Sequence, residues 1–160
     1  MKIVKDEFPE GKLIIIGDDE GAGEFEILKN LQIELGLENN IIFKGNRSRD
    51  YVLEQFSKAY ITVVPSFFEA FGYVVIESFS VHTPVIGSDT SGISKIINNG
   101  EDGLLFKKGD HVDLAEKIIY ILKNREIREK MAVNCYRHFL NDYELKKVVK
   151  DLAENPQIFN

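Results

Sequence analysis

Cysteine is almost missing from this chain. Cys135 is the only one, so no disulfide can close within it. Cys135 falls in a helical pattern and reads as a small, partly buried residue. Long apolar runs are missing too: none approaches the roughly 18 residues of a membrane span, and the longest are strand-sized. The N-terminal residues MKIVKDEFPEGK contain no hydrophobic signal core, which makes the cytoplasm the expected compartment. Positive charge is not in excess. Twenty Lys and Arg against 26 Asp and Glu give a net charge of −6, which argues against a nucleic-acid surface or a polybasic membrane patch. A nucleotide ligand is not excluded, because it needs only local donors. His82, His111 and His138 are far apart and show no metal-ligand spacing, so surface or capping roles are expected. No internal repeat and no low-complexity linker interrupts the chain.

What is present is an ordinary globular composition, 44% apolar and 29% charged over 160 residues, enough for one domain or one lobe of something larger. Short apolar runs alternate with helical patterns. Residues 1–8 read as the tail of a helix closed by Pro9-Glu10-Gly11. Strands are expected at Lys12 to Ile16, Ile41 to Phe43, Tyr60 to Val64, from Pro84 onward, and at Leu104 to Phe106. Helices are expected at Glu24 to Leu35, Arg49 to Lys58 behind a Ser48 cap, from Phe71-Gly72-Tyr73 to about Thr83, and near Ile93 to Asn98. Others carry Leu114, Ile118, Ile121 and Leu122, run from Ile127 to about Leu140, and run from Tyr143 to Ala153. Continuous rather than alternating apolar strands predict an α/β fold, a Rossmann-like parallel sheet in a three-layer α/β/α arrangement with C-terminal helices.

The segment from Val63 to Asp89 concentrates the chemistry. A buried strand stopped by Pro65 leads through a loop with Glu69 into a helix containing Glu77. This places Glu69 and the helix N-terminus at the carboxyl end of a strand, where α/β sheets bind ligands. On one continuous helix Glu69 and Glu77 would be about 12 Å apart and about 80° out of phase. They are therefore not the facing carboxylate pair of a glycosidase, whose groups sit about 5–9.5 Å apart. They suit the two ends of a long ligand. Backbone N–H groups around Phe71 and Gly72 are ready donors for phosphate oxygens, and Gly72 permits close approach. Taken alone, Glu69 reads as a solvated loop residue and Glu77 as a helix edge; the surrounding motif favours the site.

The runs PSFFEAFGYVVIES, PVIGSDTSGISKII and NGEDGLLF resemble the C-terminal lobe of family 4 retaining glycosyltransferases, the group 1 enzymes of the GT-B fold. The resemblance implies that Glu69 binds hydroxyls of the donor sugar at the reacting end, as the catalytic carboxylate. It implies that the amides of Phe71, Gly72 and Tyr73 hold the sugar and distal phosphate, and that Glu77 accepts hydrogen bonds from the ribose. It sets Lys44, Gly45, Asn46 and Arg47 beside the nucleobase. The implied ligand is a nucleotide sugar linked to UDP, GDP or ADP, with no cofactor and no bound metal. Positive groups and amide dipoles would stabilise the departing diphosphate. Membrane association of a full-length enzyme would be peripheral.

Three departures accompany the likeness. The cationic clamp of the family belongs to a strand-helix unit ahead of Lys12, and Lys2 and Lys5 do not match it. The N-terminal acceptor lobe is not in this sequence, so the 160 residues are expected to be a donor lobe, inactive by itself. Ser80-Val81-His82-Thr83, Ser91-Gly92 and Lys95 replace the usual small-x-Gly-x, Gly-Gly and acidic residues. Two other readings compete. A phospho-receiver domain would use Asp18 and Asp19, but the third strand ends in Val64-Pro65-Ser66 and offers no aspartate to phosphorylate. A nucleotide-sugar-binding lobe without catalysis is supported by the missing clamp. Phe67, Phe68, Phe71 and Phe79 are expected in the core or at a lobe interface. Arg47 and Arg49 are read equally as surface charge or nucleotide contacts.

Overall fold

The computed structural model describes residues 1–18, 21 and 23–144. The chain divides into two compact units, Met1–Glu54 and the residues from Gln55 onward. The expected helix from Tyr143 to Ala153 falls almost wholly outside the described residues.

In the first unit, α1 (Lys2–Glu7) leads to β1 (Leu13–Ile15), α2 (Glu24–Glu34) and β2 (Ile41–Phe43). The crossover through α2 makes the two strands parallel, with Leu13 opposite Ile41 and Ile15 opposite Phe43. Asn40 is buried ahead of β2, and its Nδ2 donates to the carbonyls of Pro9 (2.7 Å) and Gly11 (3.0 Å), fixing the entry to β1. No residue of α2 is buried. Its links to β2 include the Phe25 ring, 5.1 Å from that of Phe43, and Gln32 Nε2 donating to the Ile41 carbonyl at 2.8 Å. Of its apolar residues only Phe25 is half-buried, whereas Ile27, Leu28, Leu31 and Ile33 are exposed. Helix α3 (Arg49–Lys58) follows, with Ser48 Oγ accepting from the Tyr51 amide at 3.4 Å.

The second unit holds β3 (Thr62–Val64), α4 (Tyr73–Ser80), β4 (Val85–Ser88), β5 (Gly103–Phe106), α5 (His111–Lys123) and α6 (Arg125–Asp142). Its three strands are parallel in the order β3-β4-β5, with Thr62 opposite Val85 and Val85 opposite Gly103. All four residues of β4 are buried, as expected of a parallel strand covered on both faces. Val85 joins a cluster with Val75, Phe79, Ile93 and Cys135, while its neighbour Ile86 joins Leu104, Ile121 and Met131. Successive side chains of a strand point to opposite faces, so α4 and α5 cover the two sides of this sheet. Both clusters include a residue of α6. A buried hydroxyl chain fastens α4 to the strands: Ser78 Oγ lies 2.8 Å from Thr62 Oγ1 and 2.8 Å from the Thr83 carbonyl oxygen.

The sequence reading fails between Ile93 and Asn98, where a helix is expected and the chain makes successive turns. Ser94 and Ile97 donate to carbonyls four residues back, but Ile96 donates to Ile93, three back. The Asn98 amide is taken at 2.9 Å by the buried Asp102 carboxylate, which ends any helical ladder. For His138 a surface or capping role is expected, and its side chain is instead largely buried. It lies between Asp102 (Nδ1 at 2.8 Å) and Asp142 (Nε2 at 3.1 Å), holding the turn after β4 to α6.

Candidate donor-binding site

Pro65 ends β3 because it cannot donate to a strand partner, and the loop 65–72 carries the chain to α4. Ser88 Oγ, at the end of β4, donates to the Ser66 carbonyl and holds the loop's start. Gly72 caps α4 at φ 90°, a left-handed conformation that a residue with a Cβ adopts only with strain. It is buried, whereas Phe71 and Tyr73 on either side are exposed, their rings 4.8 Å apart.

The structure brings Glu69, Phe71, Gly72 and Tyr73 together at the start of α4. It also shows a contact that the sequence did not suggest. Glu69 Oε1 accepts from the Gly72 amide at 3.0 Å and, more weakly, from the Phe71 amide at 3.4 Å. A carboxylate at a helix N-terminus is stabilised by the unpaired amides and the helix dipole. Two of the amides expected to hold phosphate are thus engaged by the protein's own carboxylate. The first intrahelical bonds run from Val75 and Ile76 to the Gly72 carbonyl, which leaves the Tyr73 and Val74 amides ahead of them open to a ligand. Glu77 is one turn further along α4 and is half-buried.

Phe79 lies in the core, as expected. Phe67 and Phe68 do not: Phe68 is 92% exposed immediately before Glu69, with Lys108 Nζ 5.4 Å from its ring centroid. Lys108 follows β5, so a cation stands near the loop. Nothing in its sequence position had suggested this. Gly92 is a second residue that sequence reasoning left without a role. It is buried against the backbone of Glu69 and Ala70.

In the first unit, Lys44, Gly45, Asn46 and Arg47 leave the carboxyl end of β2. The Lys44 amide donates to the Ile15 carbonyl (2.9 Å), and the Gly45 carbonyl accepts from Gly17 (3.1 Å) at a positive φ of 63°. These bonds turn the loop over the β1 end. Asn46 and Arg47 are exposed, and the Arg47 guanidinium lies 5.7 Å from the Tyr51 ring. Among the described residues no group of three or more His, Cys, Asp or Glu side chains is placed to hold a metal, and no helix is long and apolar enough to cross a membrane.

Residues 1–138 match the family described as glycosyl transferases group 1. The chain belongs to that family. N-acetyl-alpha-D-glucosaminyl L-malate synthase of Bacillus anthracis is 28% identical over 141 residues, covering 88% of this chain and 35% of the relative. D-inositol 3-phosphate glycosyltransferase of Thermomonospora curvata is 31% identical over 126 residues, 78% of this chain and 29% of the relative. The group 1 chain therefore spans about a third of the length of the curated relatives it matches. Among solved structures, sucrose-phosphate synthase from Thermosynechococcus elongatus superposes with a TM-score of 0.86 at 26% identity, covering 99% of this chain and 41% of that one. Anabaena HepE in complex with UDP gives a TM-score of 0.86 at 22% identity, over 97% and 44%. The α/β fold is that of a lobe of these GT-B glycosyltransferases.

Proposed function

We propose that this chain is the donor-binding lobe of a retaining glycosyltransferase, which moves a sugar from a nucleoside-diphosphate sugar to a glycan, lipid or other acceptor hydroxyl. Membership of the group 1 family supports the reaction class. The observation that carries the reading for this chain is the loop from Glu69 to Tyr73, set at the α4 N-terminus at the carboxyl end of a parallel strand. Glu69 meets the donor sugar, the open amides of α4 meet the distal phosphate, and Glu77 accepts from the ribose. Lys44 to Arg47 are the residues assigned to the nucleobase. In the transfer, the bond from the anomeric carbon to the diphosphate oxygen breaks and one to the acceptor oxygen forms. The acceptor proton passes to an oxygen of the departing diphosphate, whose developing negative charge the amide dipoles stabilise. No bound metal takes part, and the acceptor is held by a separate lobe.

Calorimetric titration with UDP, GDP and ADP, then with their glucose conjugates, tests the reading. One diphosphate should bind selectively, and EDTA should leave its affinity unchanged. Glu77→Ala should weaken the bare diphosphate, whereas Glu69→Ala should reduce the preference for the sugar conjugate over it. Binding of no diphosphate would overturn the donor-lobe reading. Equal losses for both ligands in Glu69→Ala would remove its assignment to the sugar, and a loss with EDTA restored by Mg2+ would overturn metal independence.

A further inference from the structure

The turn after β4 presses on the Glu69 loop at two points. A Cβ built on Gly92 would lie 2.2 Å from the Glu69 carbonyl oxygen, 2.8 Å from its carbon and 3.0 Å from the Ala70 carbonyl carbon. These are main-chain atoms, which cannot rotate aside as a side chain would. Four residues on, Ile96 directs its Cδ1 at Gly72, where a built Cβ would come within 3.0 Å of it. The turn that carries both contacts is itself held. Ser94 N and Oγ both donate to the Thr90 carbonyl, at 2.9 and 2.8 Å, and Ile93 and Ile97 are buried against Gly87 of β4. One end of the loop is set by Gly92 and the other by Ile96, with the Glu69-to-Gly72 hydrogen bond spanning the interval.

We infer that Gly92 is a positioning residue for Glu69: the missing side chain at 92 lets the turn seat directly on the Glu69 backbone and so fixes where its carboxylate stands. That a donor sugar is what the carboxylate meets rests on the proposed function; the seating does not. Residue 92 acts through Glu69, so its effect falls on discrimination between a sugar-bearing donor and a bare diphosphate rather than on the diphosphate itself. Any Cβ at 92 moves the main chain at Glu69 and separates its carboxylate from the Gly72 amide.

The bond can be followed without a ligand. In 15N-labelled chain, the Gly72 amide shift should titrate with the Glu69 carboxylate, and Glu69→Gln should abolish that titration. Gly92→Ala should reduce its amplitude by about threefold or more, because a hydrogen bond to the charged form is what transmits ionisation to the amide. Gly103→Ala is the control for general damage. Its Cβ would meet the Val85 carbonyl oxygen at 2.5 Å, also main chain but within the sheet, and it should keep the titration. If Gly92→Ala does not fold, Ile96→Val decides, since it deletes only the Cδ1 that faces Gly72. It should speed Gly72 amide exchange by about threefold, as the local opening that exposes the amide becomes easier.

With UDP, GDP or ADP and the matching glucose conjugate, Gly92→Ala should cut the sugar preference about tenfold and leave diphosphate affinity within about twofold. A wild-type titration in Gly92→Ala, its loss in Gly103→Ala, or unchanged Gly72 exchange in Ile96→Val would overturn the inference. Should no diphosphate bind the unmodified chain, the donor-lobe reading falls, while the amide titration still decides the role of Gly92.

Discussion

His82 follows the C-cap of α4 with φ 62°, the only positive φ outside glycine among the described residues. The Thr83 amide donates to the Ser78 carbonyl at 3.0 Å and the His82 amide to that of Phe79 at 3.1 Å, so the left-handed residue is what closes the helix. A Cβ in this conformation costs about 1–2 kcal/mol. The imidazole is stacked on Tyr136, centroids 3.7 Å apart and planes 20° from parallel. Such a contact returns about 0.5–1.5 kcal/mol. Strain and stacking thus nearly cancel in the native residue. Comparing His82→Gly with His82→Ala removes the stack from both and isolates the strain. Glycine gives back about 0.5–1 kcal/mol through its freer unfolded chain, leaving it ahead by about 0.5–1 kcal/mol. At about 2–4 °C per kcal/mol for a chain of this size, His82→Gly should melt about 1–4 °C above His82→Ala by calorimetry. An alanine variant as stable as the glycine variant, or more so, would refute the strain at position 82.

Three further outcomes are expected. Asp102 is buried and accepts from Asn98 N (2.9 Å), Asn98 Nδ2 (2.7 Å) and His138 Nδ1 (2.8 Å), so Asp102→Ala should cost about 3–5 kcal/mol in urea unfolding; a loss under about 1 kcal/mol would show the cluster to be idle. Burial, with the Asp102 charge adding to it, pushes the Cys135 thiol up to about 12, so Ellman's reagent at pH 8 should leave the native chain unlabelled and label one thiol in denaturant, whereas rapid native labelling would contradict that burial. The Asp113 amide foremost, then that of Val112 and the Lys107 charge, hold the Asp110 carboxyl below its ordinary range at the cap of α5, against a smaller opposing effect of desolvation. Its contribution is present above the unfolded-state value near 4 and lost as pH falls through the lower folded value; replacing it by Asn should flatten the decline of Tm below about pH 4, and parallel curves would argue otherwise.

The parts of the fold that could be read from the sequence are those where local and tertiary preferences agree. Ser48 caps α3 and Asn40 precedes β2, and both elements occur where the apolar pattern places them. The turn at Ile93 to Asn98 reads as a helix because its three isoleucines, at 93, 96 and 97, have the spacing of a helix face, whereas a buried carboxylate four residues beyond takes the amide a helix would need. The site divides in the same way. Glu69 and Gly72 stood out through their motif, which reports a local turn. Gly92 did not, because its importance is an approach between segments more than 20 residues apart, and a lone glycine in a loop looks like any turn residue. Phe68 is expected in the core or at a lobe interface, and only the geometry shows it outside the core, exposed beside Lys108.

The carboxylate seated on the amides of Phe71 and Gly72 bears on which anions this helix end admits. Bare donors at a helix end would recruit any passing anion, from chloride to free phosphate, whereas here a tethered one stands guard at a fixed effective concentration. An incoming diphosphate sugar that used those two amides would exchange one anion for another, so their strength would largely cancel from its affinity. On the proposed reading, selectivity rests on the other oxygen of that carboxylate, Oε2, which can accept from sugar hydroxyls that chloride and phosphate do not carry. The group that keeps simple anions off the helix end would then also be the one that reads the sugar.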